Sequence, residues 1–385
     1  MKPVVKIIGT LFVFLFVSTI AGCGGDSTKQ NPVPPEPIGG WGPQAQIQIS
    51  DTETQQDNQG DGQGDGQGEA YIDDIELQET DAEFDNDFGH ISSMICGDDP
   101  DYVYAIDYTN YKFYKIQISP LQVVTTVDLD YQPWQMVYSK TKDSIYICGN
   151  NYDNGEGLTI YDIQNDTTSS VADIGATSIA IDDVAGRLYL LNDSQYLSIY
   201  DIENITGLST TSIVGTTCVL GSGQNYIFTS MVGGLALRTF IVKYSVNDDE
   251  PELVAATNYD EFPLGAGLNM LSISPDGKHL LAPSNTDSVS DGTPKGGLFD
   301  INTSDLTGLY GQWETGHTVN SAKFSHDQQL VFCEGEDILQ VFNAKSYQLI
   351  TQVDSPIEVF TLNSTGTVLV GLSESTDKLY SYSIK

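Results

Sequence analysis

One short pattern recurs seven times along this chain and constrains its fold more than any other feature. In each copy an aromatic residue is flanked by apolar residues and is often followed by Asp, Ser or Asn. The repeated aromatic residues are Tyr114, Tyr161, Tyr200, Tyr244, Phe299, Phe342 and Tyr382. They lie 47, 39, 44, 55, 43 and 40 residues apart, so the chain contains seven units of similar length.

Each unit has the composition of a run of short hairpins. A cluster of turn-forming residues and a short apolar strand precede every aromatic copy, as in SPDG before 278–284 and SHDQ before 329–334. A solenoid of such units would need caps, whereas a ring leaves only short, protected edges. The sequence therefore predicts an all-β fold, a seven-bladed β-propeller spanning residues 71–385.

The seventh unit supplies only three strands, the last of them at Lys378–Ile384. Residues 71–79 alternate between polar and apolar side chains and precede the first complete unit. We expect this segment to be the missing strand, to pair with Lys378–Ile384 and so to close the ring.

Two segments resemble known propeller families. The segment SISPDGKHLL, which ends at Leu281, and Gly316-His317 followed by AKFSHDQQLVFCEGEDILQVFN are similar to repeats of YVTN-type and WD40-type propellers. The Trp-Asp pair that ends WD40 blades does not occur in this chain, so the resemblance implies the general type of propeller and no subfamily. It also implies a structural role for His317, which occupies the Gly-His position.

The N-terminus has the layout of a secretory signal. Lys2 and Lys6 precede an apolar run over 7–20, and the segment ends in Ile20-Ala21-Gly22-Cys23. That ending resembles the lipobox of bacterial lipoproteins. The resemblance implies removal of signal peptide 1–22, lipidation of Cys23 with palmitate or a similar acyl chain, and anchoring to a membrane of the cell envelope. Gly24, rather than an aspartate, favours the outer membrane and leaves the periplasmic or surface face open.

Residues 23–70 are predicted to be a disordered linker after the lipidated cysteine. Five prolines lie between 32 and 43, and Gly, Gln and Asp dominate 57–70. Such segments bury too little apolar surface to offset the entropy lost on ordering.

The charge of the chain excludes one class of partner. The formal net charge is −37, and removal of 1–22 takes away two lysines and no acidic residue. Nucleic-acid binding requires a basic face, so we expect no nucleic-acid partner.

No catalytic motif identifies an enzyme. The sequence contains no His-Glu-x-x-His, Gly-x-Ser-x-Gly or Walker motif, and its four histidines show no metal-ligand spacing. We therefore assign no catalytic residue, metal ligand or cofactor. The remaining cysteines, at 96, 148, 218 and 333, are expected to be buried thiols outside disulfides.

Loops on one face of the ring, among them the predicted loop 150–157, are the predicted binding surface, because long loops on a rigid scaffold often carry binding residues. Its candidate residues are Tyr131 and Trp134 in the loop 130–134, His317, and Asn285 at the start of the insertion 285–297. Exposed aromatic residues are common interaction anchors. Packing of Trp134 between two blades is an equally good interpretation.

Three functional hypotheses follow, and the balance of motifs favours a role without catalysis. The first is a lipid-anchored scaffold that binds another envelope protein. The second is an envelope hydrolase, similar to lactonase propellers, with a metal held by carboxylates in the channel. The third is a carbohydrate-binding surface protein, which would present parallel aromatic rings. An apolar or neutral channel would favour the scaffold over the hydrolase.

Overall fold

A computed structural model of the chain describes thirteen stretches of sequence. These are residues 75–83, 88–151, 155–172, 174–192, 194–213, 217–220, 226–233, 238–246, 250–257, 271–284, 297–306, 309–313 and 315–385. The predicted signal peptide 1–22, Cys23 and the predicted linker lie outside the described residues, as does Asn285. Within the described stretches, no helix is long and apolar enough to cross a membrane.

The chain folds as a seven-bladed β-propeller, and each blade is an antiparallel sheet of four strands. Strand β1 (Leu77–Glu83) comes first in the chain and belongs to the last blade. Blade 1 contains β2 (Ile91–Cys96), β3 (Tyr102–Asp107), β4 (Lys112–Gln117) and β5 (Gln122–Asp128). Blade 2 contains β6 (Gln132–Ser139), β7 (Ser144–Asn151), β8 (Gly155–Asp162) and β9 (Thr167–Ala172). Blade 3 contains β10 (Ser178–Asp182), β11 (Arg187–Leu191), β12 (Tyr196–Asp201) and β13 (Thr206–Ser212).

The other four blades repeat this order of strands from the axis outwards. Blade 4 contains β14 (Thr217–Leu220), β15 (Tyr226–Gly233), β16 (Arg238–Ser245) and β17 (Glu252–Ala256). Blade 5 contains β18 (Ser272–Ile273), β19 (His279–Ser284), β20 (Gly297–Asn302) and β21 (Leu309–Trp313). Blade 6 contains β22 (Ser321–Phe324), β23 (Leu330–Gly335), β24 (Ile338–Asn343) and β25 (Leu349–Asp354). Blade 7 contains β26 (Val359–Leu362), β27 (Val368–Ser373), β28 (Lys378–Ile384) and β1.

The ring is closed by the pairing of the first strand with the last. β1 runs antiparallel to β28 with Leu77 opposite Ile384, and Glu76 and Lys385 exchange two backbone hydrogen bonds of 3.1 and 3.2 Å. The partner is the one that the sequence suggested, but the strand lies at Leu77–Glu83, later than the predicted range 71–79. Ile75, just before β1, is buried in the core of blades 6 and 7 and fixes this position. Around the axis, each innermost strand contacts its neighbours, and β26 contacts β2.

The repeated aromatic residues hold the blades together. Each lies in the third strand of its blade, and all except the half-buried Tyr200 are buried. Between blades 1 and 2, the Tyr161 ring lies 4.6 Å from Phe113 and 6.2 Å from Tyr104, measured between ring centroids. A buried side chain of this size contributes about 1.5–3 kcal/mol to stability, so each buried copy of the repeat strengthens the core between blades.

The SPDG and SHDQ motifs form the same tight turn in two neighbouring blades. Ser274 Oγ donates a hydrogen bond to Asp276 Oδ1 (2.7 Å), and Ser325 Oγ donates one to Asp327 Oδ1 (2.6 Å). The next position has a positive φ, 71° at Gly277 and 59° at Gln328. Since glycine adopts this conformation without strain, Gly277 suits the turn better than Gln328 does. These turns lie at the ends of the innermost strands, opposite the loops that join blades.

Two loop assignments from the sequence need correction or lie beyond the description. The predicted loop 150–157 is mostly strand, because β7 continues to Asn151 and β8 begins at Gly155. Of the predicted insertion 285–297, residues 285–296 lie outside the described residues, and β20 begins at Gly297.

Candidate functional site

The expectation that Tyr131 is an exposed anchor is wrong. Its side chain is 5% exposed, and its hydroxyl donates a 2.8 Å hydrogen bond to the backbone carbonyl of Ile147. The ring lies over Gly149 and Gly157, where an added Cβ would come within 2.2 and 2.1 Å of it. Two glycines facing each other across β7 and β8 therefore make the slot that takes this ring into blade 2.

Both interpretations of Trp134 apply, because its side chain is partly exposed and also packs between two blades. It is the extra residue of a β-bulge in β6, because Pro133 pairs with Gly149 and Gln135 with Cys148. A bulge turns a side chain out of the regular alternation. The Trp134 ring packs edge-to-face on Tyr108 of blade 1, with 4.7 Å between centroids, and remains half-buried. Its Nε1 is buried and has no hydrogen-bond partner among the described residues.

Three rings form a continuous row on the face that carries the loops between blades. Tyr108 contacts Trp134 on one side and His90 on the other, where the centroids are 6.1 Å apart. The Tyr108 backbone N–H donates to the His90 carbonyl (2.7 Å), which fixes their spacing. The His90 side chain is 62% exposed. We call His90, Tyr108 and Trp134 the aromatic row. Sequence reasoning missed its first two members, because nothing in their local pattern marks them.

A line of carboxylates continues from the aromatic row into blades 7 and 6. Glu374 Oε1 lies 2.6 Å from His90 Nδ1 and accepts a 3.0 Å hydrogen bond from the Ile91 backbone N–H. The hydrogen bond to Glu374 raises the pKa of His90. Beside it, the backbone N–H of Glu374 donates to Glu358 Oε2 (3.4 Å), and burial together with the charge of Glu374 raises the pKa of Glu358.

Glu334 is the most unusual member of this line. Its side chain is 1% exposed, Oε1 accepts a long 3.3 Å hydrogen bond from Asn320 Nδ2, and Oε2 has no partner among the described residues. Burial raises its pKa to about 8, and the nearby Glu358 adds to that effect. Glu334 is therefore largely protonated near neutral pH. We call Glu334, Glu358 and Glu374 the carboxylate line.

His317 lies on the same face, but its side chain is buried and engaged within blade 6. Its Nδ1 donates a 2.7 Å hydrogen bond to the Thr318 carbonyl, and Nε2 lies 3.0 Å from Gln340 Oε1. The amide of Gln340 in turn donates to the Thr315 carbonyl (3.2 Å) and to Gln352 Oε1 (3.1 Å). This network gives His317 the structural role that its Gly-His position implied, and it leaves no ring nitrogen facing solvent.

The opposite end of the channel holds a cavity of about 430 Å³. The described lining residues lie in six of the innermost strands or within two residues of their ends: Ile95, Cys96, Gln135, Met136, Val137, Tyr138, Ile179, Ala180, Ile181, Leu271, Ser272, Ile273, Lys323, Phe324, His326, Thr361, Leu362 and Asn363. These lining residues are mostly apolar and include no carboxylate. Lys323 is the cation among them, and its Nζ donates a 2.9 Å hydrogen bond to the Met94 carbonyl.

The cysteines differ in one respect from expectation. Cys96, Cys148 and Cys333 are all thiols rather than disulfides, but only Cys148 and Cys333 are buried. Cys96 is half-buried because it ends β2 at the cavity wall. Burial raises the pKa of its thiol despite the opposing effect of Lys323. The side chain of Cys218 lies outside the described residues.

The described residues contain no group of three or more His, Cys, Asp and Glu side chains arranged to hold a metal ion. The carboxylate line is thus extended rather than convergent.

No protein-family model matches the sequence, and no curated protein matches it. The architecture itself is consistent with a propeller of the WD40 or YVTN type.

Proposed function

We propose that this protein is a lipid-anchored propeller of the cell envelope that acts as a scaffold for another protein. The aromatic row is the observation that carries the proposal. Aromatic side chains concentrate binding energy at protein interfaces, and this row is continuous across blades 1 and 2 and partly open to solvent. Glu374, whose side chain is 30% exposed beside the row, suits a basic side chain of the partner, since opposite charges steer association.

The cavity at one end of the channel offers a metal no carboxylate among its described lining residues, which favours a scaffold over a hydrolase with a metal at that end. The lining residues of this cavity are apolar or neutral apart from Lys323 and His326. The rings of the aromatic row also give no specific support to carbohydrate binding. Tyr108 and Trp134 are inclined at 65° and do not form parallel platforms.

The membrane anchor in this proposal rests on the sequence. Cys23 follows Ile-Ala-Gly at the end of the signal segment, and about 47 residues of proline-rich and glycine-rich chain separate it from the propeller. Such a tether would let the binding face reach a partner away from the membrane surface. A multiply acylated cysteine holds a protein firmly in a bilayer, because each buried methylene contributes about 0.8 kcal/mol.

A crosslinked pull-down from native envelopes tests the proposal. The full-length protein is compared with the double variant Tyr108→Ala/Trp134→Ala and with a matched control, Leu253→Ala/Val254→Ala. The control removes apolar side chains that are 61% and 49% exposed on the outer strand of blade 4. We expect a discrete protein partner whose recovery falls at least about tenfold in the first variant only.

Melting curves of both variants show whether the propeller is intact. Equal recovery with all three proteins would contradict the assignment of the aromatic row. No partner with any of them, while metal or sugar binding is detected, would favour the hydrolase or carbohydrate hypothesis. Radiolabelled palmitate incorporation, compared with Cys23→Ser, tests the anchor separately.

A further inference from the structure

Lys323 occupies an unusual position for a cation in so acidic a chain. The protein has 53 acidic and 16 basic residues, yet no carboxylate of the described residues lies within ion-pair distance of Lys323. Its Nζ donates one hydrogen bond, to the Met94 carbonyl, and stands 6.0 Å from the Phe360 ring centroid. An ammonium group has three donors. Two donor positions of Lys323 are therefore available to a ligand.

The surroundings of Lys323 have the character of a small-molecule site. Ligand pockets are concave, mostly apolar and about 300–1,000 Å³ in volume, with a few polar groups that orient the ligand. The cavity at this end of the channel has about 430 Å³ and walls of Ile, Leu, Met, Val and Phe side chains. Burial in these walls lowers the pKa of Lys323 to about 8. An unpaired charge in such surroundings is costly, and an incoming anion would relieve that cost.

We propose that this cavity binds an aliphatic monocarboxylate, with its carboxylate on Lys323 Nζ and its hydrocarbon body among the apolar walls. A single negative charge matches the single ammonium group. Lys323 is the ammonium group among the lining residues, so one carboxylate is the charge that the site is expected to hold. The site lies at the end of the channel opposite the aromatic row, so it does not depend on the proposed protein partner.

The pH dependence of binding follows from the groups that face the cavity. The titratable lining residues are Cys96 on β2, Tyr138 on β6, Lys323 on β22, and His326 in the turn after β22. Strands β10, β18 and β26 contribute none. A carboxylate ligand stays ionised above neutral pH, whereas Lys323 loses its proton near pH 8. Affinity should therefore fall between pH 7 and pH 9.5.

Calorimetric titration of the purified full chain with sodium octanoate tests the proposal. Octanamide, which has the same chain and no charge, is the ligand control, and His326→Asn is the protein control for the second basic side chain at the cavity. We expect octanoate to bind at pH 7 and octanamide to bind at least about tenfold more weakly. We expect Lys323→Met to lose the preference for octanoate, and His326→Asn to keep it.

Three outcomes would overturn the proposal. They are no octanoate binding at millimolar concentration, equal binding of octanoate and octanamide, and unchanged octanoate binding by Lys323→Met. If Lys323→Met fails to fold, Lys323→Arg retains a cation of higher pKa and should bind octanoate equally well at pH 7 and pH 9.5. A fall in affinity with pH in that variant would assign the effect to another group.

Discussion

Replacing Glu334 with glutamine should make the stability of this propeller less dependent on pH. Burial raises the pKa of this carboxyl from 4.5 to about 8 in the fold. The stability associated with the protonated form is fully present below pH 4.5 and is lost as the pH rises through 8. Glutamine does not titrate, so the variant should not show this loss.

The magnitude follows from the size of the shift. One pKa unit corresponds to about 1.4 kcal/mol, so ionising Glu334 within the fold costs about 4–5 kcal/mol at high pH. The amide nitrogen of glutamine would occupy the place of the unpartnered Oε2 and adds a constant cost of about 1–3 kcal/mol at every pH. The difference in unfolding free energy between variant and native protein should therefore move in favour of the variant by about 4–5 kcal/mol from pH 4.5 to pH 9.

Urea unfolding at pH 5, 7 and 9 measures this difference directly. Glu252→Gln is the matched control, because Glu252 is exposed on the outer strand β17 and its replacement should leave the pH profile unchanged. The contribution of His90 is common to all three proteins and cancels in the comparison, whereas the coupling between Glu358 and Glu334 is part of the difference that is measured. Parallel pH profiles for Glu334→Gln and the native protein would refute the argument that Glu334 is held largely neutral.

Three other changes test the closure of the ring and the contacts on the face that carries the loops between blades. A chain that starts at Phe88 lacks β1 and should unfold at least about 3 kcal/mol more easily than one that starts at Ala70, because Ile75 and Leu77 lose their packing; equal melting would contradict closure by this strand. Tyr131→Ala should destabilise blade 2 by about 3–5 kcal/mol and Tyr131→Phe by about 1 kcal/mol, as read from urea midpoints, whereas similar effects would mean that the ring is not held in its glycine slot. Glu374→Gln should lower the pKa of His90, as measured by NMR titration of the imidazole. An unchanged pKa would show that the 2.6 Å contact between His90 Nδ1 and Glu374 Oε1 does not form in solution.

The repeat made the architecture predictable, because it records the packing between blades. The aromatic residue in the third strand of each blade packs in an equivalent place in every unit. The recurrence of residues such as Tyr161 and Phe342 therefore indicates the whole ring. The closing strand was harder to place, since alternation in 71–79 is as good as in Leu77–Glu83. Burial of Ile75 and the pairing of Leu77 with Ile384 decided the register.

The candidate site was less predictable, because it depends on where strands begin and which blades meet. Tyr131 was expected in an open loop, yet β6 begins at Gln132, and the facing glycines of β7 and β8 take in the ring. Neither glycine is close to Tyr131 in sequence. The neutral state of Glu334 and the isolation of Lys323 depend likewise on neighbouring blades, so composition alone could not reveal them.

Photocrosslinking in native envelopes tests the central claim most directly. A photoreactive amino acid replaces His90, whose side chain is 62% exposed beside the aromatic row, or Val184, which is 96% exposed on a turn at the opposite end of the channel. If the row binds a protein, illumination should give one adduct of defined mass from position 90 and none from position 184. No adduct from position 90, or the same adducts from both positions, would contradict the proposed scaffold surface.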